Sequence, residues 1–208
     1  MSLERVSGEE LVLNVHNKQI GGGESLDKNQ IKQWLIELKE LIIVIFIAVW
    51  MMTFVVSQNK IPSGSMIPTL AIKDRILVLM LPYYYRLPER GEIVVFNGPD
   101  EKKWIKRVIG LPGETIDIRE GNIYVNDVLL DETSYLTETH ISSLNPVVVS
   151  EVSFPYTIPP EHYFLLGDNR LESYDCRYFG AVSEKEITGK AIYRVYPFSN
   201  QGVIGKNR

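Results

Sequence analysis

Polar and apolar positions change rhythm twice along this chain. Residues 1 to 24 are polar, weakly patterned and close on "GGGE", the composition of an unanchored terminus, so a mobile tail is expected there. From residue 25 the pattern turns helical. In "SLDKNQIKQWLIELKE" the residues Ile31, Trp34, Leu35, Leu38 and then Ile42 recur at steps of three and four, with Asp27 placed at the N-cap and Gln30 at N3. An indole and lysines beside such a stripe suit a membrane interface, with an ordinary helix packed on its own domain as the rival reading.

The run "LIIVIFIAVWMMTFVV", residues 41 to 56, holds no charge and one hydroxyl. As a helix it covers about 24 Å, short of a hydrocarbon core of roughly 30 Å. Ser57 and Gln58, with Lys39 and Lys60 reaching outward, close most of that gap. The run lies behind a polar tail and no small-residue cleavage pattern follows it, which predicts an uncleaved transmembrane helix rather than a cleaved signal segment or a buried core helix. Lys28, Lys32 and Lys39 before the run balance Lys60, Lys73 and Arg75 after it, so charge does not orient it.

Beyond residue 58 the period shortens to two. "RILVLM" (75 to 80), "EIVVF" (92 to 96), "WIKRVI" (104 to 109), "ETIDIR" (114 to 119), "NIYV" (122 to 125), "YFLL" (163 to 166) and "AIYRVY" (191 to 196) read as strands between Pro, Gly and Asn-Asp signals. Ile116, Ile118, Ile123 and Val125 alternate on both sides of a Gly-Asn turn, the pattern of a hairpin with one buried face. No repeat of fixed period occurs. The expected organisation is a tail (1–24), a helical start and membrane span (25–58), and one mainly β, antiparallel domain (59–208) with an irregular stretch at 137 to 160. In "LPYYYRLPERGE" (81 to 92) three tyrosines between prolines fit the headgroup level of a bilayer or a hairpin tip packed on its own domain.

Composition narrows the function classes. A net charge of −4 over 208 residues gives no basic footprint, which disfavours nucleic acid as a partner. The single Cys176 precludes an internal disulfide, and His16, His140 and His162 are scattered without paired cysteines, so no metal or other cofactor is expected.

Three segments carry candidate chemistry. In "IPSGSMIP" the prolines bias Ile61 and Ile67 towards extended backbone, which would turn Ser63 and Ser65 to one side. A nucleophilic serine needs a base. His140 sits in a polar stretch and His162 follows Pro-Pro-Glu, and neither context fixes an imidazole. In "WIKRVIG" alternation places Lys106 on the face of Trp104 and Val108, opposite Ile105, Arg107 and Ile109. Desolvation there would disfavour the ammonium form and make lysine, unlike arginine, a usable base. The loop "GDNRLESYDCR" (167 to 177) follows an apolar strand and gathers Asp168, Arg170, Glu172, Ser173, Asp175 and Arg177.

In this order, "PSGSMIPTL", "RGEIVVF", "WIKRVIGLPGE" and "GDNRLESYDCR" resemble the boxes of bacterial type I signal peptidases, in particular the short form of Gram-positive organisms, across about residues 41 to 197. The resemblance implies a β-rich Ser-Lys protease domain behind one membrane helix, with the N-terminus cytoplasmic and the catalytic domain outside. It implies Ser65 as nucleophile, Lys106 as general base, Ser63 with the Ser65 backbone N–H as oxyanion hole, and Ser173 bonded to Lys106. Arg107, Asp168, Asp175 and Arg177 would brace the site, while Ile61, Pro62, Met66 and Ile105 would line substrate pockets. Implied partners are secretory preproteins cut after a small-x-small motif, the lipid bilayer and the secretion translocon. One departure stands out: Cys176 replaces the family's usual serine, and a packed, inert thiol is expected there. Two rivals share some of these features, a self-cleaving Ser-Lys repressor-type protease and a non-catalytic, membrane-tethered assembly factor. The apolar run and the lack of a basic helix-turn-helix argue against the first.

Overall fold

The computed structural model describes residues 27 to 136 and 150 to 205. The expected tail, His16, His140 and residues 137 to 149 of the irregular stretch lie outside them. By its internal contacts the chain divides after Ile47 into a helical unit and a larger unit from Ala48 onward.

Helix α1 spans Lys28–Phe54. Asp27 starts it as expected: its carbonyl accepts from Ile31 N at 3.0 Å and its carboxylate from Asn29 N at 3.4 Å. The stripe of Ile31, Trp34, Leu35, Leu38 and Ile42 is exposed. The expected span over 41 to 56 is cut short, because strand β1 claims Val56–Lys60 and the helix ends at Phe54. Its uncharged part, residues 41 to 54, is about 21 Å long, and Glu37, Lys39 and Glu40 precede it. Among the described residues no helix is long and apolar enough to cross a membrane.

The rest is two antiparallel sheets. The larger contains β1, β2 (Arg75–Leu79), β3 (Ile93–Asn97), β4 (Lys103–Gly110), β9 (His162–Leu166), β10 (Val182–Ser183) and β11 (Ile187–Tyr196), in the order β1-β2-β11-β3-β4-β9-β10, with β12 (Gly202–Val203) on β11. The smaller contains β5 (Thr115–Arg119), β6 (Asn122–Val125), β7 (Val128–Leu129) and β8 (Tyr156–Thr157), in the order β7-β6-β5-β8. One short helix, α2 (Cys176–Phe179), follows β9.

The β5–β6 hairpin pairs Ile116 with Val125 and Ile118 with Ile123, as the alternation requires. Its loop is Glu120-Gly121 rather than Gly-Asn. Both loop residues have positive φ, 50° and 81°, the turn whose twist matches the strands it joins, while Asn122 already belongs to β6. The tyrosine stretch is not a hairpin tip: Leu81–Tyr84 is a 3-10 turn, Tyr83 donates to Glu92 at 2.9 Å, and Tyr84 and Tyr85 are exposed.

Pairing of β3 with β4 decides what surrounds the central strand. Val94 opposes Lys106 and Phe96 opposes Trp104 on one face, whereas Ile93 opposes Arg107 and Val95 opposes Ile105 on the other. Each face has its own core. Val94, Phe96, Val108, Phe164 and Leu166 pack on the first, and Ile61, Met66, Leu70, Ile76 and Val78 on the second. Burial of each such side chain contributes about 1.5 to 3 kcal/mol. The expected alternation breaks after Val108, where a bulge opposite β9 brings Ile109 into the same core as Val108. Gly110 follows the bulge, and a Cβ there would lie 2.3 Å from Ile158 Cδ1 and 3.0 Å from Phe164 Cβ, so a larger residue would have to push these side chains aside.

Candidate active site

The serine segment is a string of turns. Ile67 N donates to Gly64 O at 3.1 Å and Leu70 N to Met66 O at 2.8 Å, so the extended backbone expected from the prolines is not what aligns the serines. The turn does it: Ser63 Oγ and Ser65 Oγ are 3.4 Å apart. The loop is tied down at both ends, with Ile61 N donating to Asp74 O and Met66 and Leu70 inserted into the second core.

On β4, Lys106 is buried at 4 % exposure, and its Nζ lies 2.8 Å from Ser65 Oγ. As an ammonium it donates to that oxygen. Deprotonated, it can accept the serine's proton across the same separation. Burial lowers its pKa from the ordinary lysine value to about 8, the carboxylates of Asp175 and Asp168 pulling the other way. A neutral amine is therefore accessible near physiological pH. Trp104 stands beside it, with Nζ 5.7 Å from the ring centroid, and donates its own N–H to Asp100 at 2.7 Å.

The 167 to 177 loop carries two buried ion pairs. Arg107 donates to Asp168 through Nε at 2.8 Å and Nη2 at 2.7 Å, and Arg177 pairs with Asp175 at 2.8 Å. Asp168 also accepts from Thr69 Oγ1 and so joins β4 to the serine loop. Asp175 caps α2 and accepts from Gly167 N at 3.0 Å. Backbone and amide of Asn169 complete the link, donating to Ser65 O at 3.0 Å and Gly64 O at 3.2 Å.

Ser173 departs from expectation. Its Oγ is buried without a hydrogen-bond partner among the described residues, so the expected bond to Lys106 is not made. The hydroxyl sits instead over Gly167, where a Cβ would come 2.2 Å from Ser173 Oγ and 2.4 Å from Ser65 O. Gly167→Ala must displace the Ser65 carbonyl as well as the Ser173 hydroxyl. Precursor cleavage by that variant is expected to fall about 10²-fold, the cost of a misplacement near 1 Å; a measured rate within threefold of wild type would refute this account. Cys176 is packed as expected: Sγ is buried, accepts from Leu165 N at 3.2 Å, and burial pushes the thiol's pKa up. His162 starts β9, at the end of the strand away from Gly167, with Nδ1 2.7 Å from Pro160 O.

A groove of about 410 Å³ opens over Ser65 and Lys106. Ile61, Pro62, Met66 and Ile105 all contribute to it, and Trp104 and Tyr174 add an aromatic wall that the motifs did not single out. Thr69, Gly167 and Asn169 lie inside the quoted motifs, yet their contacts depend on the fold.

The sequence pattern described as signal peptidase, peptidase S26, matches residues 32 to 196. The probable signal peptidase I-2 of a Synechocystis strain is 39% identical over 178 residues, covering 82% of this chain and 77% of that protein. Signal peptidase I S of Bacillus subtilis is 32% identical over 174 residues, covering 83% of this chain and 92% of that protein. A crystal structure of a signal peptidase I from Enterococcus faecalis is 35% identical and covers 50% of this chain and 97% of that one, at a TM-score of 0.42. A match over most of the sequence, the serine and the lysine both inside it, settles the kinship: this chain belongs to the signal peptidase, peptidase S26 family and is a hydrolase of that family.

Proposed function

We propose that this protein is a membrane-bound serine endopeptidase that removes signal peptides from secretory preproteins after a small-x-small motif, with Ser65 as nucleophile and Lys106 as general base. The observation that carries the reading is the 2.8 Å approach of a buried lysine amine to a serine hydroxyl. Neutral Lys106 takes the Ser65 proton as Oγ attacks the scissile carbonyl carbon. The oxyanion is met by the Ser65 backbone N–H and the Ser63 hydroxyl. Lys106 then returns the proton to the departing amine as the C–N bond breaks, leaving Ser65 Oγ acylated by the signal peptide. A water gives its proton to Lys106 as it attacks the acyl carbon, and Lys106 returns that proton to Ser65 Oγ as the ester bond breaks and frees the signal peptide.

Substrate choice follows from the groove. In an extended peptide two small residues at period two face the same side, so shallow pockets at Ile61, Pro62, Met66 and Ile105 test both and reject bulk. Ser173 acts here as a polar neighbour of the dyad, and Arg107, Asp168, Asp175 and Arg177 hold the two halves of the site together. The uncharged run at 41 to 56, exposed over residues 41 to 52, is the proposed anchor. Residues 1 to 24 then lie in the cytoplasm, and residues 59 to 208 form the peptidase domain outside, beside the bilayer and the secretion translocon. Tethering in the plane where precursors emerge raises the effective substrate concentration.

Mass spectrometry of the ends produced from an Ala-x-Ala precursor tests the reading. Wild type is expected to yield the end directly after the motif and Ser65→Ala to yield none. A protein that binds the precursor and never cuts it is an assembly factor instead.

A further inference from the structure

The turn Asp131–Leu136, outside every quoted motif, faces both halves of the site. Asp131 Oδ1 accepts from Thr133 N at 3.0 Å and Glu132 O accepts from Tyr135 N at 3.1 Å, which puts the Glu132 and Tyr135 side chains together. Tyr135 donates its hydroxyl proton to Glu132 Oε1 at 2.6 Å. From there each reaches a buried arginine. Glu132 accepts from Arg170 through Nη1 at 2.8 Å and also through Nη2, forming a fork. The ring of Tyr135 lies 4.0 Å from Arg107 Cζ.

The two arginines belong to the two sides of the dyad. Arg107 follows Lys106 on β4. Arg170 donates from Nε to Gly167 O at 2.9 Å, and so fixes the loop whose Asn169 N holds Ser65 O. Arg170 is about 1 % exposed and Arg107 likewise, so neither charge can be compensated by water. We infer that Glu132 and Tyr135 are positioning residues for the cleavage reaction, clamping the Arg170 loop and the Arg107 strand so that Ser65 Oγ and Lys106 Nζ stay within hydrogen-bond reach. The inference rests on the Ser65–Lys106 reading above. Neither side chain enters the substrate groove, so their loss should reach turnover rather than binding.

Steady-state cleavage of the Ala-x-Ala precursor by the full chain tests this, at a temperature where each variant is folded by circular dichroism. Glu132→Gln is expected to lower kcat about tenfold or more with KM within twofold, because the fork loses its charge while the groove is untouched. Tyr135→Leu should do the same, and Tyr135→Phe, which keeps the ring over Arg107, should stay within threefold of wild type. A Glu132→Gln protein that is less heat-stable yet keeps kcat within twofold shows a merely structural residue and overturns the inference. If Glu132→Gln does not fold, the Tyr135 pair decides: tenfold loss for leucine but not for phenylalanine supports the clamp, and equal rates overturn it. Ser65→Ala run alongside separates the two levels. Wild type and Ser65→Ala cleaving alike means that the dyad reading has failed, whereas full rates in the clamp variants with an inactive Ser65→Ala fail the clamp alone.

Discussion

Lys106→Met is expected to lower precursor cleavage by about 10⁴-fold and, at pH 7, to make the folded protein more stable. Both effects come from one cause. Burial that lowers the lysine's pKa to about 8 makes a neutral amine available for the proposed role of base, and the same burial destabilises the fold while it holds an ammonium. Against an ordinary lysine value of 10.5 the shift corresponds to about 3 kcal/mol at pH 7, which an apolar side chain of similar length does not incur. The sign is fixed by proton counting. Between pH 8 and 10.5 the unfolded chain binds more protons than the folded one, so wild type gains stability as pH rises through that window and the advantage of methionine fades. Denaturant unfolding should show a gap of about 3 kcal/mol at pH 7 that shrinks to about 1 kcal/mol at pH 10. An equal gap at both values would mean that folding does not lower the Lys106 pKa and that the buried amine titrates like an ordinary lysine.

The kinetic side has its own signature. In wild type kcat/KM should climb about tenfold per pH unit below about 8 and level off above it, as the free enzyme's lysine loses its proton. Lys106→Arg keeps the charge, cannot release a proton in this range, and is expected to be inactive at every pH tested. An active arginine variant would remove Lys106 from the role of base.

How far the sequence reaches is visible in β4. Period two assigned Lys106 to the face of Trp104 and Val108, and the pairing with β3 agrees. The bulge after Val108 was not legible, because an extra residue leaves no trace in apolar spacing. Long, strongly alternating strands such as β2, β5 and β6 were found within a residue or two, whereas the short edge strands β7, β8, β10 and β12 were not, since two residues carry no period. The serine pair was read on one side for the wrong local reason. Glu132 carried no signal at all: its partner Arg170 is 38 residues away, and only the folded chain brings them together. Ser173 shows the opposite failure, where a motif implied a hydrogen bond that this packing does not make.

Asp168→Asn should cost about 3 to 5 kcal/mol, a fall in Tm of roughly 10 °C or more. The carboxylate is fully buried and accepts two bonds from Arg107, whose own side chain is 2 % exposed. Asparagine preserves the volume and removes the charge, leaving a guanidinium held by Gly91 O at 2.7 Å and the Tyr135 ring but without a counter-ion. A surface pair would give at most about 1 kcal/mol, so the size of the loss measures the burial. Because Thr69 Oγ1 also donates to this carboxylate, the change loosens the serine loop, and cleavage should fall with stability. Combining Asp168→Leu with Arg107→Met separates the two effects: the uncompensated charge is gone, so most of the stability returns, while the tie between β4 and the serine loop does not and cleavage stays low. Thermal unfolding of the two variants beside wild type gives the answer, and a loss below about 1 kcal/mol for Asp168→Asn would show that water reaches this pair.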